Sequence, residues 1–154
     1  QRCTSTRRVI VHESIAKKLR ERLLSAFRSV RIGDPLDPAT IMGPLVHSSA
    51  VESFLLAKEQ LVREGGRVLD GGDPLPDLGP NYITPCLAEA HAGMPILQNE
   101  TFAPLLYLLT YRDFADALAM HNAVPQGLSS AIFTNDLREA ETFLGATGSD
   151  CGIA

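Results

Sequence analysis

A chain of 154 residues, 45% hydrophobic and 21% charged, is long enough to bury one core without disulfide or metal staples. Its net charge of −4, carried by interspersed signs, leaves no footprint for nucleic acid or an anionic membrane, and no apolar run approaches the ~20 residues of a membrane helix. The three cysteines, Cys3, Cys86 and Cys151, are an odd, widely spaced set without disulfide or metal-ligand spacing, which suits a reducing, cytoplasmic setting.

Val9-Ile10-Val11 is a short apolar strand candidate, after which the Ser14 hydroxyl is expected to cap a helix. From Ile15, apolar residues recur at Leu19, Leu23, Phe27 and Val30 with charges between them, predicting a helix that Gly33 ends. Two Asp-Pro steps then hold the chain extended, and Asp34 and Asp37 read as turn formers. A second helix is expected from about Ser49 to Glu64, with Val51, Phe54, Leu55 and Leu61 facing inward and Gly65-Gly66 as its stop. Arg67 to Leu69 and Tyr82 to Leu87 read as strands around a loop rich in Gly, Pro and Asp. Leu105 to Thr110 reads as a more buried strand, Phe114 to His121 as a helix, Ser130 to Phe133 as a strand and Leu137 to Leu144 as a last helix. This alternation predicts an α/β domain on a largely parallel sheet with flanking helices, without internal repeats or low-complexity linkers.

Two short peptides carry the candidate chemistry. Gln1-Arg2-Cys3-Thr4 sets a thiol ahead of small hydroxylated residues, and Asn99-Glu100-Thr101-Phe102-Ala103-Pro104 sets a carboxylate one residue from an aromatic ring. A thiol attacks a carbonyl as thiolate, so its site must lower its pKa with helix-end amides or positive charge. Taken alone, a cysteine is more often an inert core residue. A carboxylate can accept both hydroxyls of a ribose while a phenyl ring limits where a nicotinamide lies; the plainer alternative is a solvated glutamate beside a core phenylalanine. The fork of Arg2 can bind a substrate carboxylate at two points, or it can support the site through a structural salt bridge. His12, His47, His91 and His121 are scattered without partners at ligand or triad spacing, so no metal site is expected, and Cys86 and Cys151 read as small core residues.

Together the two peptides resemble the aldehyde dehydrogenase superfamily. The first matches its nucleophile motif Gly-Gln-x-Cys-Thr, and the second its Glu-x-Phe-Gly-Pro, with Ala103 in place of the glycine. Gly33-Asp34-Pro35-Leu36-Asp37-Pro38, Met42-Gly43-Pro44-Leu45 and the run from Gln126 to Asp136 are similar to family segments in the same order. Gly127-Leu128-Ser129-Ser130 and Gly148-Ser149-Asp150-Cys151-Gly152-Ile153 resemble the antiquitin branch, the α-aminoadipic semialdehyde dehydrogenases. The resemblance implies the cysteine-bearing catalytic domain of that fold, with Cys3 as nucleophile. It also implies a helical turn from Thr4 to Arg7 under the sulfur, with Arg7 or Arg8 adding field, and the Cys3 backbone N–H as an oxyanion donor. Glu100 and Phe102 would contact NAD or NADP, and Arg2 and Thr4 would meet the substrate. The implied reaction oxidises an aldehyde, most similarly an amino-acid-derived semialdehyde, to a carboxylic acid through a cysteine thiohemiacetal and thioester, in a homodimeric or homotetrameric parent.

The resemblance is also partial. The nucleotide-binding domain, the catalytic glutamate and the oxyanion asparagine that precede the nucleophile in the family are not in the sequence. Residues 1–154 are therefore expected to be a partial catalytic domain, truncated at both ends, binding no cofactor of its own and inactive alone. Two other functions fit the same residues. One is a folded, catalytically silent subunit-contact module; the other is an acylating semialdehyde reductase of the same superfamily, against which the Glu100-Thr101-Phe102 and Gly148-Ser149-Asp150 stretches argue.

Overall fold

Val9, Ile10 and Val11 are β-branched, and they form the strand β1 (Arg8–His12). In this computed structural model, which describes residues 2–152, the strand turns directly into helix α1 (Glu13–Arg28). Gln1 of the cysteine peptide and Ile153 of the antiquitin-like stretch lie outside the described residues. His12, not Ser14, caps α1: its Nδ1 accepts the Ser14 N–H at 3.2 Å, because the helix begins at Glu13 and Ser14 already lies in its first turn. The helix stops at Arg28, well before Gly33, where the Ser29 N–H and hydroxyl both donate to the Ala26 carbonyl and compete with further winding. Asp34 and Asp37 form the expected turns, accepting from the Leu36 and Ala39 N–H groups at 2.9 and 2.8 Å.

Helix α2 (Ser48–Arg63), capped by His47, buries Val51, Phe54, Ala57 and Leu61 at helical spacing, while Leu55 is only half-buried. Strands β2 (Arg67–Asp70) and β3 (Cys86–Glu89) follow. The single strand expected over 82–87 is split: Ile83 makes an isolated bridge with Pro74, and the ladder begins only at Cys86, because Pro85 has no N–H to donate. Gly71, at φ +73°, turns the chain between them, and a Cβ there would meet the Pro85 carbonyl oxygen at 1.9 Å. Strand β4 (Leu105–Tyr111) and helices α3 (Phe114–Asn122) and α4 (Leu137–Leu144) complete the described elements, with a short 3₁₀ turn at Pro95–Gln98.

The sheet order is β1-β4-β3-β2, with β1/β4 and β4/β3 parallel and β3/β2 antiparallel. Alternation along β3 and β4 sends Cys86, Ala88, Leu105, Tyr107 and Leu109 into the core that Phe54 and Leu61 of α2 fill. Leu87 and Leu108 point to the opposite face, where α1 lies. No residue of α1 is fully buried; half-buried Leu19, Leu23 and Phe27 share the attachment with the ion pairs Arg20–Glu89 and Arg28–Asp70.

One expected element is absent. Residues 130–133 form no strand, and Phe133 is 97% exposed. Beta structure needs a neighbour, and this segment has none to ladder with among the described residues; β1, the outer strand nearest to it, is bonded only to β4. No helix among the described residues is long and apolar enough to cross a membrane.

Candidate active site

The two chemical peptides are far apart in sequence but lead into adjacent parallel strands. Arg8 of β1 is the register partner of Tyr107 of β4, and the Tyr107 N–H donates to the Arg7 carbonyl at 2.8 Å. The turn carrying Cys3 and the turn carrying Glu100 therefore emerge at the same end of the sheet.

The cysteine turn is closed at both sides, by the Ser5 N–H donating to the Arg2 carbonyl at 3.0 Å and the Arg2 N–H donating to the Ser5 hydroxyl at 2.8 Å. It does not continue as the helical turn expected for Thr4 to Arg7. β-Branched Thr4 and Thr6 disfavour one, and Arg7 is already committed to the ladder through its carbonyl. Helix-end amides are thus not what faces the sulfur here; Cys3 is exposed on the turn, as are Arg2 and Thr4.

The second turn is tighter. The Ala103 N–H donates to the Thr101 carbonyl and the Leu105 N–H to the Ala103 carbonyl, both at 2.8 Å. Ala103 is buried and no non-glycine residue among the described ones has a positive φ, so alanine occupies the motif's glycine position without backbone strain. Glu100 is exposed and Phe102 is 47% exposed. Beneath them, burial pushes the Tyr107 phenol up to about 12, against a smaller opposing pull from Thr101. Its hydroxyl still lacks a properly aligned hydrogen-bond partner, so Thr101 is close enough to bias it but not to satisfy it.

A cavity of about 800 Å³ runs along the free side of β1 and is walled opposite by the segment around 126–133. Cys3, Thr4, Glu100 and Thr101 all line it, and Glu100 is the only carboxylate among the described lining residues. Phe102 and Arg2 stand just outside the lining, joined to it through Arg7, whose guanidinium lies 5.1 Å from the Phe102 ring centroid and 3.4 Å from the carbonyls of Arg2 and Ala103. Arg2 makes no ion pair among the described residues.

A second polar cluster was not legible in the sequence. His121, at the end of α3, meets Asp150 and Cys151, with their ligand-type atoms all within 4.8 Å, and its Nε2 lies 2.7 Å from the Ser149 hydroxyl. The separation of these residues along the chain gave no spacing signal, so the expectation of partnerless histidines is corrected for His121. Burial, and then the Arg8 guanidinium, lower the His121 pKa. Arg8 itself caps α3 by donating to the Met120 and His121 carbonyls at 2.8 and 3.0 Å, and its fixed positive charge opposes a cation among these groups. Cys86 is the core residue expected, its thiol pushed up to about 11 by burial, whereas Cys151 is only half-buried.

The profile of the aldehyde dehydrogenase family matches residues 1–153. The alpha-aminoadipic semialdehyde dehydrogenase of Mus musculus is 44% identical over 154 residues, covering 99% of this chain and 28% of that protein. Among solved structures, HpcC from Thermus thermophilus superposes with a TM-score of 0.90 at 32% identity, covering 99% of this chain and 30% of that one. PnpE, a protein of Pseudomonas sp. WBC-3, in complex with nicotinamide adenine dinucleotide gives a TM-score of 0.82 at 33% identity over 87% of this chain and 28% of that one. The chain spans about 30% of the length of the curated relatives it matches.

Proposed function

The chain belongs to the aldehyde dehydrogenase family, and from that premise we propose that it is the nucleophile-bearing part of an enzyme that oxidises an amino-acid-derived semialdehyde, such as α-aminoadipic semialdehyde, with NAD or NADP. The observation that carries this reading is the single cavity lined by both the Cys3 turn and the Glu100 turn. The mouse relative's name supports the substrate class.

Cys3 supplies the nucleophile. Its thiol proton passes to solvent water, the sulfur bonds to the aldehyde carbon as the carbonyl π pair moves onto oxygen, giving a thiohemiacetal, and its own backbone N–H donates to that oxygen as negative charge develops there. The thiol's exposure on a short turn gives an aldehyde access to it. Arg2, exposed at the rim of the cavity and without an ion pair among the described residues, offers its fork to the carboxylate of the substrate's far end, and Thr4 contributes a hydroxyl to the cavity wall.

Glu100 and Phe102 would hold the cofactor. An exposed carboxylate and a half-exposed ring, one residue apart and both solvent-facing, fit a ribose diol and the flat face of a nicotinamide. NAD(P)+, when bound, supplies the two-electron oxidant. Because Glu100 is the only carboxylate among the described lining residues and faces the cofactor in this reading, the base that activates water for release of the acid comes from outside these residues. Residues 1–154 alone therefore do not turn over.

The test is Cys3→Ala in the complete aldehyde dehydrogenase, read as aldehyde-dependent appearance of reduced cofactor. Activity is abolished, while the exposed position leaves stability within about 0.5 kcal/mol of wild type. Retained turnover would overturn the assignment.

A further inference from the structure

The Arg7 side chain spans the gap between the two turns. Its Nη2 donates to the Arg2 carbonyl and its Nη1 to the Ala103 carbonyl, each at 3.4 Å, while its guanidinium carbon stands 5.1 Å from the centroid of the Phe102 ring. Its backbone is fixed, because the Arg7 carbonyl accepts the Tyr107 N–H at 2.8 Å in the first rung between β1 and β4. Its Nε is buried without a partner. An arginine serving only as surface charge would turn that N–H to water; leaving it dry costs free energy that the rest of the fork must recover.

The same guanidinium lies over the Phe102 ring. The ring is 47% exposed, so core packing does not set its plane, and among the described residues the cation over its face is its directional contact. The cysteine turn is likewise exposed, and among the described residues the Arg7 fork is the hydrogen bond that ties it to the rest of the site besides its own two closing bonds.

We propose that Arg7 is a positioning residue of the aldehyde-oxidising site, a clamp that fixes the cysteine turn against the ring that faces the nicotinamide. The assignment rests on Cys3 as nucleophile and Phe102 as cofactor contact. Arg7 acts through the two turns, by its bonds to the Arg2 and Ala103 carbonyls and its place over the Phe102 ring. Lysine cannot replace it in full, because a single ammonium lacks the planar fork that reaches two carbonyls while lying over a ring.

The experiment reads geometry without catalysis, so its failure is separate from a failure of the proposed reaction. Residues 1–154 contain no tryptophan, so Phe102→Trp in the complete protein, with any tryptophan elsewhere changed to phenylalanine, introduces a unique indole at a half-exposed site. In a Cys151→Ser background, with Cys86 buried and any reactive cysteine elsewhere changed to serine, bimane is attached to Cys3, and its emission is quenched when the label contacts the indole. With Arg7 present, quenching is strong. Arg7→Met is expected to abolish it while leaving the far-ultraviolet circular dichroism unchanged, and Arg7→Lys to retain a reduced fraction. Undiminished quenching in a folded Arg7→Met chain overturns the proposal. If that variant does not fold, Arg7→Lys decides: quenching equal to that with arginine overturns it, and a partial loss supports it.

Discussion

Glu89→Gln tests how α1 is held on the sheet. This helix buries no residue completely, so its attachment depends unusually on charge, and Glu89 of β3 is the centre of that charge. One carboxylate oxygen pairs with Arg20 of α1, and the other accepts from Arg67 of β2 at 2.6 Å. The Arg20–Glu89 pair is about 30% exposed at each side chain, between the fully solvated pairs that contribute almost nothing and the dry ones that are strongly coupled. Weighing an exposed pair, worth up to about 1 kcal/mol, against a charge-assisted hydrogen bond of about 1.5–3 kcal/mol, the substitution should cost about 1–2 kcal/mol. For a domain of this size that lowers Tm by roughly 3–6 °C.

The pH dependence fixes the sign. Burial pushes the Glu89 carboxyl up, but hydrogen bonds and charge from Arg67 and Arg20 outweigh it and hold the group below its ordinary range. A carboxyl whose folded pKa is depressed stabilises the fold fully above its unfolded value, about 4.3, and loses that contribution as pH falls through the folded value. Thermal melts followed by circular dichroism should therefore show wild type and Glu89→Gln well separated at neutral pH and converging as the buffer is acidified below the unfolded value of about 4.3. Equal melting temperatures at neutral pH, or a gap that persists in acid, would refute the reasoning.

Two further predictions address the frame beneath the site. Phe54→Ala removes a side chain with no exposure from the core between α2 and the sheet, and urea denaturation should show a loss of about 3–5 kcal/mol. Gly71→Ala forces a Cβ to within 1.9 Å of the Pro85 carbonyl at a positive φ; a cost above about 1–3 kcal/mol is expected. Amide exchange should quicken first at the β2–β3 pairing, and uniform exchange across the sheet would contradict this account.

The helices and the buried strand were legible because their signals are local. The spacing of Val51, Phe54 and Leu61 identifies the inner face of α2 whatever lies against it, and the apolar run that became β4 announces a strand buried on both faces. Boundaries were less legible, since they depend on which small polar group first captures a free backbone atom. Ser29 halts α1 before Gly33 is reached, and His12 displaces Ser14 as its cap. The cluster of His121, Ser149, Asp150 and Cys151 left no trace in the sequence, because its members meet only through the path of the chain after α3.

Strands depend on partners in a way helices do not, and this explains both the miss at 130–133 and the geometry of the site. A helix satisfies its own backbone, so α4 forms at the residues its pattern predicts. The stretch Ser130 to Phe133 has strand-like residues, but the neighbouring free side of β1 is separated from it by the cavity, and without a ladder the segment stays irregular. The same openness leaves room beside the cysteine turn. Because β1 and β4 run parallel, the turns leading into them stand at one end of the sheet, and the pairing of Arg8 with Tyr107 carries Cys3 and Glu100 to the wall of one cavity. The motif residues were readable as chemistry from their identities alone. Their meeting was not, because it is a property of the strand order β1-β4-β3-β2, in which the first strand of the described chain pairs with the last.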